Sequence, residues 1–176
     1  MTYKTRKYPQ FAACGLNCGL CPRYYTSGSS RCPGCGGVGF TDAHCGCGML
    51  SCCQRKELEY CFECNEFPCE KYKGVDKSDS FISHKNQFVD MEKAKRIGLE
   101  AYIDELNEKI AILETLLQNH DNGRNKSFYC TAVNLLELED VKAVMNRIDN
   151  EVEPKAVRQM FEEMAECKEI SLKLRK

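Results

Sequence analysis

Cysteine is concentrated in one part of this chain. Twelve of its 14 cysteines lie in the 56 residues from Cys14 to Cys69, most of them in closely spaced pairs or triplets. Thiolate is the softest ligand among protein side chains, so closely spaced cysteines indicate zinc, copper(I) or an iron–sulfur cluster rather than calcium or magnesium. The stretch is therefore predicted to bind metal, which restricts how it can fold.

The sequence also indicates the compartment in which these thiols act. Its first thirteen residues lack the apolar run that a signal peptide needs, and no segment has the roughly 18 apolar residues of a membrane span. We expect a soluble, cytoplasmic protein with no membrane association. In a reducing cytoplasm, dense cysteines favour metal sites over disulfides.

Composition divides the 176-residue chain into two parts. Nine of the 12 glycines lie between Gly15 and Gly48, whereas the segment after Ser83 is rich in Glu, Lys, Leu, Ile and Met. We predict a cysteine-rich metal-binding module at residues 1–75, a polar linker at 76–83 and a helical bundle at 84–176. The predicted fold class is mainly α, a loop-rich module with zinc-knuckle turns packed on a small helical bundle.

Apolar residues recur at helical spacing in the second part. The longest stripe runs from Leu99 to Leu117 and ends at the helix-breaking segment 119–123, so a long helix is predicted there. A shorter helix is expected before it, and another from about Ser127 to Ile148. A last helix is predicted to begin at Pro154, which suits the first turn of a helix, and to reach Cys167. The stripes of these three other helices contain Phe88, Met91 and Ala94, then Val141, Val144, Met145 and Ile148, then Val157, Met160, Phe161 and Met164.

Two closely spaced pairs form the clearest metal signature. Cys18-x-x-Cys21 is followed, after ten residues, by Cys32-Pro-Gly-Cys35-Gly-Gly. Two residues between cysteines let the backbone turn so that both sulfurs reach one ion, and a glycine after the second cysteine tolerates the positive φ that such a turn often needs. The two pairs together supply the four ligands of a closed tetrahedral site.

A third pair, Cys61-x-x-Cys64, predicts a further site. The spacing does not fix its partners, which are drawn from Cys45, Cys47, Cys52 and Cys53, with His44 as a possible nitrogen ligand. The predicted metal ligands are Cys14, Cys18, Cys21, Cys32, Cys35, Cys45, Cys47, Cys52, Cys61, Cys64 and Cys69. Since twelve thiols allow at most three closed four-thiolate sites, we expect two or three Zn2+ ions.

The spacing of Cys14, Cys18 and Cys21 also matches the three cysteines with which radical S-adenosylmethionine enzymes hold an iron–sulfur cluster. Those enzymes surround the cluster with an α/β barrel, and this chain lacks the strand–helix alternation of a barrel. An iron–sulfur redox or electron-transfer protein that uses the same thiolates is the alternative to zinc, because spacing does not separate the two metals.

Charge disfavours nucleic acid as a partner. Between Cys14 and Cys69 there are four basic residues and five acidic ones. Each four-thiolate zinc site adds a net charge of about −2, so three sites would bring the module to about −7. Since phosphate contacts from Lys and Arg supply most nonspecific affinity for nucleic acid, such a module would repel it.

The sequence gives little indication of an enzyme. His44 is the one histidine inside the cysteine cluster, and the chain has no phosphate-binding glycine loop, nucleophile elbow or HExxH motif. Cys130 and Cys167 lie on predicted helices, where a single cysteine is usually a small buried hydrophobe. We predict no catalytic residue and expect a structural zinc protein that acts in protein interaction or scaffolding, with a protein partner.

The segments CGLNCGLCPRYY, RCPGCGG and HCGCGMLSCCQRKELEYCFECNEFPCEKY resemble a family of cysteine-rich bacterial and archaeal proteins that is known only as a domain of unknown function. The resemblance is specific from Cys14 to about Tyr72 and looser over the helical part. It implies zinc-binding thiols and no established activity. The thiols that it implies are Cys14, Cys18, Cys21, Cys32, Cys35, Cys61, Cys64 and Cys69. Cys47 and Cys53 are additional to the family's pattern, which leaves the number of sites open.

Overall fold

The computed structural model describes residues 4–44, 46–149 and 151–176. Over these residues the chain forms seven α-helices and no β-strand, which confirms the mainly α class with a loop-rich, cysteine-rich first part. The α-helices are α1 Phe40–Ala43, α2 Gly48–Arg55, α3 Gln87–Ile97, α4 Leu99–Asn119, α5 Lys126–Leu135, α6 Leu138–Met145 and α7 Pro154–Cys167. Short 3-10 helices lie at Cys18–Leu20, Pro22–Tyr25, Gly28–Ser30, Cys61–Glu63 and Glu70–Tyr72. None of the described helices is both long and apolar enough to cross a membrane.

Helix α4 is the centre of the bundle. Helices α3, α5 and α6 pack against it, and α7 packs on α5 and α6. The buried apolar side chains of α4 repeat at helical spacing, because one face of the helix is covered along its whole length. These side chains are Tyr102, Ile103, Leu106, Leu113 and Leu116. The helices predicted before Gly98, from Leu99 and from Pro154 are confirmed as α3, α4 and α7.

The helix predicted from Ser127 to Ile148 is instead two helices, α5 and α6. The chain leaves helical geometry at Leu136, whose ψ is 148°. No proline or glycine marks this break, but the carbonyl groups that it frees have side-chain partners. Lys109 Nζ donates to Leu136 O at 2.6 Å, and Asn86 Nδ2 donates to Asn134 O at 3.2 Å. Side chains from α4 and from the residue before α3 therefore stabilise the interruption.

The cysteine-rich part and the bundle share one hydrophobic core. Phe11 is completely buried, and its ring centroid lies 4.8 Å from the ring of Tyr102 on α4 and 5.3 Å from the ring of Tyr60. Gly19 lies so close to Ile110 of α4 that a Cβ atom would have no room. Since burial of a large apolar side chain contributes about 2 kcal/mol, the two parts stabilise each other.

A buried polar cluster joins the same two parts. Asn17 Nδ2 donates to Asp90 Oδ2 at 2.8 Å and to Asn134 Oδ1 at 3.1 Å. Tyr102 OH donates to Asn17 Oδ1 at 2.9 Å. All four side chains are buried. Because Asn17 immediately precedes Cys18, these hydrogen bonds fix the first cysteine pair on α3, α4 and α5.

The segment predicted as a linker, 76–83, is held by residues that follow α7. The carboxylate of Asp79 has no exposed surface and accepts a hydrogen bond from the Arg175 guanidinium at 2.7 Å. It also accepts the backbone N–H groups of Arg175 at 2.7 Å and of His84 at 2.8 Å. Burial acts to raise the pKa of Asp79, but the hydrogen bonds and charge of Arg175 outweigh it and lower the pKa.

Candidate metal centre

The first cysteine pair is a tight turn that lies on the bundle. Residues Cys18–Leu20 form one turn of 3-10 helix, and Cys21 N–H donates to Cys18 O at 3.2 Å. Gly19 N–H donates to Gln10 O at 2.9 Å, and the Gly19 backbone packs on Ile110. The position of this pair is therefore determined by contacts from both parts of the chain.

The second pair turns at glycine. Gly34, between Cys32 and Cys35, has a φ of +86°, a conformation that side-chain-bearing residues rarely adopt. Cys35 N–H donates to Pro9 O at 2.8 Å, and Cys32 N–H donates to Arg23 O at 2.9 Å. Arg23 belongs to the 3-10 helix that directly follows the first pair, so the two pairs are neighbours.

The four thiols of these pairs and the thiol of Cys14 are close enough to influence one another. Burial raises the pKa of Cys18 well above its ordinary value, and the neighbouring thiols, those of Cys35 and Cys14 most strongly, raise it further. A high pKa keeps a thiol protonated at neutral pH, so a bound cation has to displace protons here. We call Cys14, Cys18, Cys21, Cys32 and Cys35 the inner cluster.

The third pair repeats the turn of the first. Residues Cys61–Glu63 form a 3-10 helix, and Cys64 N–H donates to Cys61 O at 3.0 Å. Cys61 N–H donates to Ala13 O at 2.8 Å, which places the third pair beside the backbone that leads into Cys14. The second group of thiols is thus built next to the inner cluster.

Five cysteines line one small cavity of about 50 Å³ between α2, the third pair and the segment that follows it. The Sγ atoms of Cys53 and Cys61 lie 3.4 Å apart. Zinc–sulfur bonds of about 2.3 Å in a tetrahedron separate the sulfurs by about 3.8 Å, so this pair is close to the spacing of two ligands. We call Cys52, Cys53, Cys61, Cys64 and Cys69 the outer cluster.

The other predicted ligands lie near the inner cluster or outside the described residues. Cys47 directly precedes α2 and is half-buried. Burial raises the pKa of Cys14 to about 12, and Cys47 is one of the thiols that add to this rise, so the two are neighbours. Cys45 lies outside the described residues. His44, the possible nitrogen ligand, stacks on Phe40 with ring centroids 4.7 Å apart.

Sequence reasoning named Cys53 as a possible partner of the third pair but left it out of the predicted ligands, and it missed Tyr72. Cys53 follows Leu50 by three residues on α2, and both are buried, so helical spacing is the signal that identifies it as the inward-facing cysteine. Tyr72 OH donates to Cys14 O at 3.2 Å and also lies near the Cys61 thiol, whose pKa it lowers. The tyrosine hydroxyl therefore lies between the inner and the outer cluster.

A buried arginine, which sequence reasoning also missed, lies between the clusters. The side chain of Arg6 is 3% exposed and donates to Glu59 O at 3.2 Å. Burial raises the pKa of Cys35, and the charge of Arg6 opposes this rise. Hydrogen bonding with Cys53 lowers the pKa of Cys61, and the charge of Arg6 lowers it further. No motif signals this role, because Arg6 precedes the first cysteine and resembles an ordinary surface residue in the sequence.

No disulfide joins any two of the described cysteines. Within the described parts of the chain, no three Cys, His, Asp or Glu side chains are already arranged to hold a metal ion. In the outer cluster, Cys64 Sγ instead contacts Lys56 Nζ at 3.3 Å. A closed outer site therefore requires Cys64 and another thiol to rotate toward the Cys53–Cys61 pair.

Comparison with known proteins covers the cysteine-rich part alone. Residues 10–74 match the model of a family described as a protein of unknown function (DUF3795). This segment is just over a third of the chain and contains both clusters. No curated protein and no solved structure is significantly similar to the chain. The specific part of the resemblance seen in the sequence is confirmed over this segment, and the family's description names no metal and no activity.

Proposed function

We propose that this protein binds two zinc ions through thiolates, one in the inner cluster and one in the outer cluster, and that the metal stabilises a module for protein interaction. The observation that carries the proposal is that five cysteines from three separate segments line one cavity of about 50 Å³. A set of donors made only of thiols suits zinc, which is bound in closed tetrahedral sites of this kind.

The surroundings of the thiols support the proposal. Four thiolates and one zinc ion leave about two negative charges, and buried negative charge is costly without a compensating cation. Arg6, which is buried between the clusters, supplies such a charge. Tyr72 OH lies near the Cys61 thiol and lowers its pKa, as outer groups that orient metal ligands commonly do. When bound, zinc would contribute folding free energy to a segment with few helices.

The experiment is metal analysis of protein purified without oxygen and without added metal. We expect two zinc ions per chain and no visible absorption. The double variants Cys32→Ser/Cys35→Ser in the inner cluster and Cys61→Ser/Cys64→Ser in the outer cluster keep only three thiols of that cluster, so each is expected to leave one zinc ion. Cys167→Ser is the matched control, because Cys167 is exposed at the end of α7, and it should leave two.

Two results would contradict the proposal. Protein that binds no thiophilic metal at near-stoichiometric amounts would show that the thiols serve another purpose. A brown protein that contains iron and acid-labile sulfide would establish the alternative, an iron–sulfur protein that uses the same thiolates.

We also propose that the protein acts in the cytoplasm on a protein partner rather than on nucleic acid. Free thiols suit a reducing compartment, and thiolate-bound zinc makes the cysteine-rich part more acidic. A gel-shift assay with zinc-loaded protein at low salt should detect no binding to DNA or RNA. Tight, salt-sensitive binding would overturn this part of the proposal.

A further inference from the structure

Solvent reaches the two clusters to different extents. In the inner cluster, Cys14, Cys32 and Cys35 are 8%, 9% and 5% exposed, and the two thiols of the first pair are partly exposed. In the outer cluster, Cys53 is buried, and the four other thiols are partly exposed. A ligand in solution therefore meets sulfur atoms of the outer cluster first.

Backbone and tightly packed side chains cover the inner cluster. Tyr25 OH donates to Gly19 O at 2.7 Å on the first pair. A Cβ atom at Gly34, in the second pair, would collide with the carbonyl group of Pro9. A Cβ atom at Gly15 would lie 2.5 Å from the side chain of Met91 on α3. Since none of these groups can move without repacking the core, access to the three buried inner thiols, and so release of an ion that they hold, requires partial unfolding.

Flexible charged side chains border the outer cluster. Lys56 Nζ lies 3.3 Å from Cys64 Sγ and 2.8 Å from Glu66 Oε1, and the lysine and glutamate side chains are 37% and 71% exposed. Lys71 also lines the cavity. Exposed ion pairs are weak and exposed side chains change rotamer within nanoseconds, so this border opens without any change in the fold.

The outer cluster, like the inner one, contains one thiol more than a single zinc ion uses, and its five thiols share one cavity. A closed tetrahedral site takes four thiolates, and five cysteines line the cavity. One thiol is therefore free to replace another during exchange. The ion therefore has a replacement sulfur ligand available as each of its bonds breaks.

We propose that the outer cluster is an exchange site for a thiophilic d10 cation such as Zn2+, whereas the inner cluster holds its ion as a permanent part of the fold. This inference rests on the proposed function, because it assigns different roles to the two sites proposed there. An exchange site lets the protein take up or pass on the cation while it stays folded.

The first test is the rate at which zinc leaves the full-length, zinc-loaded protein in excess chromogenic chelator. We expect one equivalent to leave at least about tenfold faster than the other, a difference typical of altered surroundings at metal sites. Cys61→Ser/Cys64→Ser, which keeps only three outer thiols, should abolish the fast phase and keep the slow one, and Cys167→Ser should keep both. Circular dichroism during the fast phase should show no loss of helix.

The second test needs no variant, so it is independent of whether Cys61→Ser/Cys64→Ser folds. After the fast phase, brief treatment with iodoacetamide and peptide mass spectrometry should find label on Cys61, Cys64 and Cys69 and none on Cys32 and Cys35. Release of both equivalents at one rate, loss of helix with the first equivalent, or label on the inner cluster first would overturn the inference while leaving two zinc sites in place. Protein that binds no zinc would instead overturn the proposed function.

Discussion

At the scale of single residues, substitution of two glycines in the cysteine-rich part distinguishes the cost of backbone strain from the cost of a steric clash. Gly28 and Gly34 both have positive φ, +74° and +86°. A Cβ atom at Gly28 meets no atom within 4 Å, whereas one at Gly34 would collide with the Pro9 carbonyl, which accepts the Cys35 N–H. Gly28→Ala should lower the free energy of unfolding by about 1 kcal/mol from the left-handed backbone alone. Gly34→Ala should lower it by about 3 kcal/mol, because the hydrogen bond to Pro9 is also disturbed.

Urea denaturation of the zinc-loaded protein measures both changes. The zinc-release assay adds a second readout, since Gly34→Ala should also speed release from the inner cluster. Equal losses of stability in the two variants would show that the second pair does not depend on its contact with Pro9.

A second residue-scale prediction concerns Asp79. Its buried carboxylate has four hydrogen bonds or ion-pair contacts to Arg175 and His84, and Asp79→Asn removes the charge that these partly exposed donors contact. We expect a loss of about 2 kcal/mol in thermal or urea unfolding, because hydrogen bonds to a charged group are stronger than those to a neutral amide. Glu70→Gln is the control, since the Glu70–Lys73 pair is exposed and should contribute less than about 0.5 kcal/mol. Similar effects of the two substitutions would contradict the role given to Asp79.

At the scale of helices, the periodicity of apolar residues predicts those helices whose extent is determined by neighbouring residues in the sequence. Helix α4 follows from a stripe of apolar residues that is seven members long and ends at a clear breaker, and the structure has it at Leu99–Asn119. The break between α5 and α6 could not be predicted, because its cause is not local. Helical geometry ends at Leu136, and its carbonyl oxygen accepts a hydrogen bond from Lys109 Nζ of α4. These two residues are 27 positions apart in the sequence.

No sequence pattern predicts the buried charged groups between the helices. One of them leads to a prediction of how stability depends on pH. Burial raises the pKa of Asp90 on α3 to about 6, despite the charge of Lys109 and the hydrogen bond from Asn17. Since the folded-state pKa lies above the unfolded value, the folded protein binds the proton more tightly, and Asp90 reduces stability as pH rises from about 4 to 6. Relative to Asp90→Asn, the wild type should gain about 1 kcal/mol of unfolding free energy between pH 7 and pH 5.

The comparison with Asp90→Asn at each pH is needed because acid also protonates thiols and releases metal from both proteins. Urea denaturation of the two proteins at pH 5, 6 and 7 measures the difference. A difference that stays constant, or that favours the variant at low pH, would show that the carboxylate of Asp90 is ionised in this range.

At the scale of the whole molecule, the sequence predicts which cysteines form turns but not how the turns are assembled. The spacing of Cys61 and Cys64 predicts the third pair, and its 3-10 turn is observed. The convergence of this pair with Cys53 and Cys69 depends on contacts with Ala13 and Tyr72, which no spacing encodes. The same holds for Arg6, since its place between the clusters results from the packing of the whole module.

The core that the cysteine-rich part and the helical bundle share leads to a prediction for the stability of the bundle on its own. Phe11 contacts Tyr102, Gly19 packs on Ile110, and Asn17 hydrogen-bonds with three side chains of α3, α4 and α5. A fragment of residues 84–176 exposes these apolar surfaces and leaves the buried Asp90 and Asn134 without Asn17. Loss of several such contacts, at about 1 to 2 kcal/mol each, approaches the total stability of a small domain.

We therefore expect the fragment to lack cooperative thermal unfolding by circular dichroism, whereas the zinc-loaded full-length chain unfolds in one transition. Exhaustive chelation of the full-length chain should likewise reduce hydrogen-exchange protection in α4 as well as in the cysteine-rich part, because metal that stabilises one side of a common core stabilises the other. A fragment that unfolds cooperatively near the temperature of the full-length protein would instead establish the bundle as a domain of its own. In that case the contacts of Asn17 and Phe11 would attach the metal module to the bundle without contributing to the stability of the helices.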